Sequence, residues 1–62
     1  MVNGFRQGQR VSGIYDGLPF AGQVAYQHRG IVVVILDTPI TFAGIQKHLL
    51  RIDPKLDTVT RS

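Results

Sequence analysis

The chain has no cysteine, no glutamate and no tryptophan. Without cysteine, neither a disulfide framework nor a thiolate zinc site can support a small core. Without glutamate, the only carboxylate side chains are Asp16, Asp37, Asp53 and Asp57. None of them stands at a spacing that suggests a carboxylate pair or a nucleophilic triad. Helical periodicity is missing too: no stretch joins an apolar stripe to proper end caps. The longest apolar run, Ile31 to Leu36, is six residues, far short of the ~20 that a membrane-spanning helix needs. Met1 to Gly8 is polar and glycine-bearing, not a basic start followed by an apolar stretch, so no secretory leader is read there. These absences set the expectation of a cytoplasmic protein with no membrane partner.

What is present bounds the class further. Sixty-two residues make one domain at most, with a core that is marginal alone. A hydrophobic fraction of 44% is too high for a disordered chain. Seven Lys and Arg against four Asp give a formal net charge of +3, with a sequence pI near 10.0. Residues 1–30 carry Arg6, Arg10 and Arg29 against Asp16, and the remainder carries Lys47, Arg51, Lys55 and Arg61 against three Asp. Arginine dominates, and its planar fork suits phosphates and base edges. The excess of positive charge tilts the balance toward a polyanionic partner.

Short runs of β-branched and aromatic residues, punctuated by Gly, Pro and Asp, predict an all-β chain. The first strand is expected over Gln9–Tyr15, closed by the turn signal Asp16-Gly17. The second is Phe20–Gln27, with Phe20, Gly22, Val24 and Tyr26 alternating on one face. His28-Arg29-Gly30 makes a tight hairpin turn into a third strand, Ile31–Leu36. Asp37-Thr38-Pro39 is expected to break that strand, because Pro39 cannot donate to a ladder. A fourth strand follows at Ile40–Gly44, then a 3₁₀ turn at Ile45–His48 and a fifth strand at Leu49–Ile52. On this reading residues 1–8 are a flexible N-terminus, 9–53 a small barrel, and 54–62 a polar, mobile tail.

Five short strands, a tight turn between the second and third and a one-turn connection before the last resemble an SH3-like small barrel over residues 8–53. The Gly8-Gln9-Arg10-Val11 start, the Tyr15-Asp16-Gly17 corner, the Phe20-Ala21-Gly22-Gln23-Val24 strand and the closing Leu49-Leu50-Arg51-Ile52 look like Tudor and KOW-type layouts. The Tudor likeness raises a methylated-residue cage, but five aromatics and no tryptophan are a thin supply. Plasmid-encoded type II dihydrofolate reductase, a tetrameric SH3-like barrel, is similar in its Gly-x-Arg-Val opening, its second strand and its final Leu-x-Arg-Ile. Its pore-lining Val-Gln-Ile-Tyr segment is replaced here by about Ile40-Thr41-Phe42-Ala43, so the resemblance implies an oligomeric barrel and not reductase activity. Gly17-Leu18-Pro19-Phe20-Ala21-Gly22-Gln23-Val24 and Leu36-Asp37-Thr38-Pro39-Ile40 also resemble small proteins of plasmids and phages, which implies a mobile-element origin.

No catalytic residue, metal site or cofactor is expected. His28 and His48 read as surface histidines, and the glycines form no phosphate-binding pattern. The expected function is a non-enzymatic nucleic-acid-binding module with a regulatory or accessory role, its ligand DNA or RNA. Arg10, Gln23, Gln27, Arg29, Lys47 and Arg51 are the candidate phosphate and base contacts. Gln23, Gln27 and Arg29 are expected on one strand face, and Tyr15 and Tyr26 are candidates for base stacking, although aromatics in so small a barrel mostly belong to its core. If Val32, Val34 and Leu36 point inward, then Ile31, Val33 and Ile35 form an exposed apolar face, expected to drive homo-oligomer formation. The alternative is an adaptor that binds another protein or inhibits a host enzyme; a type II dihydrofolate reductase-like enzyme, which the resemblance raises, ranks third.

Overall fold

Three X-Gly pairs fold the chain back on itself. Asp16-Gly17, Arg29-Gly30 and Ala43-Gly44 all have positive φ at both residues, the backbone pattern of a type I′ turn, whose twist matches that of the strands it joins. The structure, a computed structural model describing residues 4–61, accordingly consists of strands linked by tight hairpins. They are β1 (Arg10–Tyr15), β2 (Leu18–His28), β3 (Ile31–Phe42), β4 (Ile45–Ile52) and β5 (Thr58–Arg61). All pair antiparallel in one sheet of order β4-β3-β2-β1-β5. The sheet's outer strands are β4 and β5, and no ladder joins them among the described residues. Among those residues no helix is long and apolar enough to cross a membrane.

The all-β class and the five antiparallel strands agree with the sequence reading; the second half of the chain is partitioned differently. The expected break at Asp37-Thr38-Pro39 does not end β3, which runs on to Phe42. Its ladder with β4 is interrupted between Ile35↔Leu49 and Ile40↔Lys47, so residues 36–39 face only His48 on that side. Pro39 therefore sits where no ladder hydrogen bond is asked of it. Ile40–Gly44 is thus the end of β3 plus a turn, and Ile45–His48, expected as a 3₁₀ turn, is the start of β4. The one-turn connection lies further on, where Leu56 N–H and Asp57 N–H both donate to the Asp53 carbonyl (2.9 and 2.8 Å). The Asp53 carboxylate also accepts from Lys55 N–H at 2.9 Å. Thr58–Arg61, expected in the mobile tail, forms β5 and pairs with β1 from Val11↔Arg61 to Ile14↔Thr58.

One face of the sheet carries the core. Val11, Phe20, Val24, Val32, Val34, Leu36, Leu50 and Ile52 are buried together, and Phe5, Tyr15, Ile40 and Val59 pack against them. Val32, Val34 and Leu36 point inward as expected. Two core-face positions admit no side chain. A Cβ on Gly22 would lie 2.1 Å from the Ile35 carbonyl oxygen, and one on Gly13 would lie 1.9 Å from that of Thr58. Residues 4–8, expected to be flexible, are held by hydrogen bonds. Gly8 N–H donates to the Val24 carbonyl at 2.7 Å, and Phe5 N–H donates to Gln27 Oε1 at 2.8 Å. Arg61 stacks its guanidinium over the Phe5 ring at 4.6 Å and donates to the Gly4 carbonyl at 2.8 Å. Residues 1–3 of the expected N-terminal segment lie outside the described residues.

Candidate nucleic-acid interface

The outer face of β2-β3-β4 is set by a single irregularity. β2 pairs Val24 with Val34 and Tyr26 with Val33, so Ala25 is an extra residue opposite nothing. Partners in an antiparallel ladder point to the same side of the sheet. Val24 therefore points into the core with Val34, while Tyr26 points outward with Val33. The alternation that would have buried Tyr26 with Phe20, Gly22 and Val24 is shifted by one residue at the bulge.

The same shift separates the polar residues expected together. Gln23 pairs with Ile35 and faces outward, whereas Gln27 pairs with Val32 and turns to the inner side, where its amide oxygen receives Phe5 N–H. The expectation of one face shared by Gln23, Gln27 and Arg29 is thus corrected: Gln27 anchors the N-terminal segment. Arg10 lies opposite Gln23 on β1. Its guanidinium is engaged by both carboxylate oxygens of Asp37 in an exposed ion pair. Hydrogen bonding from Arg10, with charge attraction in support, holds the Asp37 carboxyl below its ordinary range and raises the Arg10 guanidinium in turn. Arg10 therefore already has an anionic partner within the chain.

The remaining candidate cations come together on the outer face. Two rows cross three strands there: Tyr26–Val33–Arg51, and Gln23–Ile35–Leu49. Neighbours within a row sit about 5 Å apart, so Tyr26 and Arg51 flank Val33 across about 10 Å. Lys47, Leu49 and Arg51 of β4 line a groove of about 540 Å³ with Tyr15, Tyr26, Val33 and Ile35. A second groove of about 300 Å³ shares Tyr26, Val33 and Arg51 and extends to His28, Arg29 and Ile31 at the β2–β3 turn. Among the described residues no carboxylate lines either groove.

The expected self-association face is less open than the sequence implied. Ile35 is 49% exposed and Ile31 is half-buried, but Val33 is only 7% exposed. Its row neighbours Tyr26 and Arg51 are long enough to lie over its short side chain, which corrects the expectation of three exposed β-branched residues. The apolar exposure comes instead from Tyr26 (53%), Ile35 and Leu49 (54%). Leu49 escaped the sequence reading because the end of β4 was expected as a separate, shorter strand; the alternation Lys47-Leu49-Arg51 was the available signal. Tyr15 has its ring edge-on to Phe42, with centroids 6.2 Å apart, packs against the core and also lines the larger groove with Tyr26. Among the described residues no group of His and Asp side chains could hold a metal ion.

Set against protein-family models, curated proteins and solved structures, the chain matches none of them.

Proposed function

We propose that the chain is a small, non-enzymatic nucleic-acid-binding module, bound through the outer face of β2-β3-β4. The observation that carries this reading is the juxtaposition of Arg29, Lys47 and Arg51 around Tyr26 in grooves that, among the described residues, no Asp side chain lines. Cations supply affinity for the phosphate backbone, and an exposed aromatic with an amide-bearing neighbour such as Gln23 supplies contacts to bases. The five-stranded order with its one-turn connection supports an SH3-like scaffold. The likeness of residues 17–24 and 36–40 to small plasmid and phage proteins supports a regulatory or accessory role in a mobile element, exercised in the cytoplasm.

A specific observation favours a second reading. Tyr26, Ile35 and Leu49 are neighbouring large apolar side chains left half-exposed on the same face, which suits self-association or a protein partner. The two readings compete for one surface, and salt separates them. Fluorescence anisotropy of labelled oligonucleotides across a salt series is expected to show log K falling linearly with log salt. Three cations on phosphate give a slope of about −2 on a single strand and about −2.7 on a duplex. Arg51→Gln is expected to flatten the slope by about 0.7 to 0.9. Absence of binding at low salt, where screening is weakest, refutes the nucleic-acid reading. A mass at high micromolar concentration that rises above the monomer and falls on Leu49→Lys supports the second.

A further inference from the structure

Resting on the nucleic-acid reading, we infer that the occupant of this face is a single strand, DNA or RNA, with one unpaired base stacked on the Tyr26 ring. Three observations converge on it. The bulge at Ala25 expels Tyr26 from the core alternation and leaves it 53% exposed, although a sheet this small gains from burying every ring it has. Its ring lies where the two grooves meet, at the shared positions Tyr26, Val33 and Arg51. The floor of those grooves is apolar, provided by Val33, Ile35 and Leu49, while the charges stand around it at Lys47, Arg51 and Arg29. A duplex hides its base faces in its own stack and presents phosphates and groove edges, so it has nothing to lay on an apolar floor or an aromatic ring. An unpaired base has a free π-face, and stacking on an aromatic is insensitive to which base it is. The length agrees with a short footprint. Lys47 to Arg51 spans roughly 13 Å along β4 at the usual strand rise, room for about four stacked nucleotides at about 3.4 Å each, with Arg29 continuing the charged border at the turn.

Composition provides a direct optical test. The chain has no tryptophan and two tyrosines, Tyr15 and Tyr26, so Tyr15→Phe leaves Tyr26 as the sole fluorophore of interest. Unlabelled single-stranded and duplex oligonucleotides, of DNA and of RNA, are titrated at low salt into this variant, and labelled versions are titrated into the unaltered chain, Tyr26→Leu, Tyr26→Phe and Arg51→Gln. The inference expects single strands to quench Tyr26 emission and to bind more tightly than the matching duplex. Tyr26→Leu then loses about 5- to 150-fold on single strands with less than a two-fold change on duplex, and Tyr26→Phe retains the affinity. Equal binding of both forms, without quenching and without an effect of Tyr26→Leu while Arg51→Gln still weakens it, overturns the stacked-strand inference and leaves the nucleic-acid reading standing. No binding of either form overturns both. The quenching arm needs no substitution at Tyr26, so it decides the matter even if Tyr26→Leu fails to fold.

Discussion

Gly22→Ala is a severe test of how closely the strands approach. Gly22 has no positive φ, so its backbone accepts alanine. On conformational entropy alone the change would stabilise the fold by about 0.4–1 kcal/mol, by restricting the unfolded chain. Packing argues the opposite. The new methyl would lie 2.1 Å from the Ile35 carbonyl oxygen and 3.0 Å from the Leu36 Cα. Those are backbone atoms of the neighbouring strand, with no rotamer to swing aside. To reach ordinary contact, β2 and β3 must separate by about 1 Å at the Gly22↔Leu36 pair, beside the Val24↔Val34 core pair. Overpacking of this kind costs about 1–3 kcal/mol and sometimes more. A chain of 62 residues has a total stability of about 3–9 kcal/mol. The net expectation is a loss of about 1–2 kcal/mol, or a fall in Tm of about 4–16 °C. Thermal and urea unfolding followed by circular dichroism, at two protein concentrations to separate any association, would measure it. A variant within about 0.5 kcal/mol of the parent would refute the close approach.

Three further outcomes follow from the same geometry. Ala43 holds φ 53° ahead of Gly44, a conformation that costs an L-residue about 1–2 kcal/mol, so Ala43→Gly is expected to raise the urea midpoint by the equivalent of about 0.5–1 kcal/mol net of glycine's entropy, with m unchanged. The Arg10–Asp37 pair depresses the Asp37 carboxyl, so its contribution to stability is complete above the unfolded carboxyl's ordinary pKa near 3.8 and is lost as the pH falls through the lower folded value. Asp37→Asn should therefore flatten the acid limb of the stability profile between about pH 5 and 2 while changing its shape near neutrality little. Arg61→Ala removes the guanidinium from the Phe5 ring and from the Gly4 carbonyl; hydrogen exchange should then quicken at the Phe5 and Gly8 amides and stay slow at Val34, with equal quickening throughout counting against a local clasp.

The parts of the fold legible in the sequence were those decided by local chemistry. Asp16-Gly17 and Arg29-Gly30 announce their turns, and the run Ile31–Leu36 places three residues of the core. Ala43-Gly44 was not legible as a hairpin turn because alanine is a poor occupant of positive φ, and missing it displaced every element from Ile40 to Ile52. Pro39 misled for a related reason: a proline ends a strand only where its neighbour asks for a hydrogen bond, and the interrupted β3–β4 ladder asks for none there. The tail looked mobile because four polar and β-branched residues make no strand alone; Thr58–Arg61 is ordered by β1, a partner far away in the chain. The candidate site depended most on a feature that leaves no sequence signature. Phe20 to Tyr26 reads as unbroken alternation, and only the pairing reveals that Ala25 is surplus. That one residue moves Tyr26 to the outer face and Gln27 to the inner one, so the cations Arg29, Lys47 and Arg51 were foreseen while their arrangement around an exposed ring was not.

The pairing of β5 with β1 also governs the order in which the chain assembles. β1–β2, β2–β3 and β3–β4 are hairpins closed by two-residue turns, whose nucleation takes microseconds and demands little loop entropy. The remaining ladder joins Val11 to Arg61, fifty positions along the chain, through only four residue pairs. Its closure must wait until the three hairpins have brought β1 and the end of the chain into range. The native protein is therefore a fast-zipping meander with a slow seam. The seam, held by four residue pairs, is where the folded chain is expected to come apart first under load or during proteolysis.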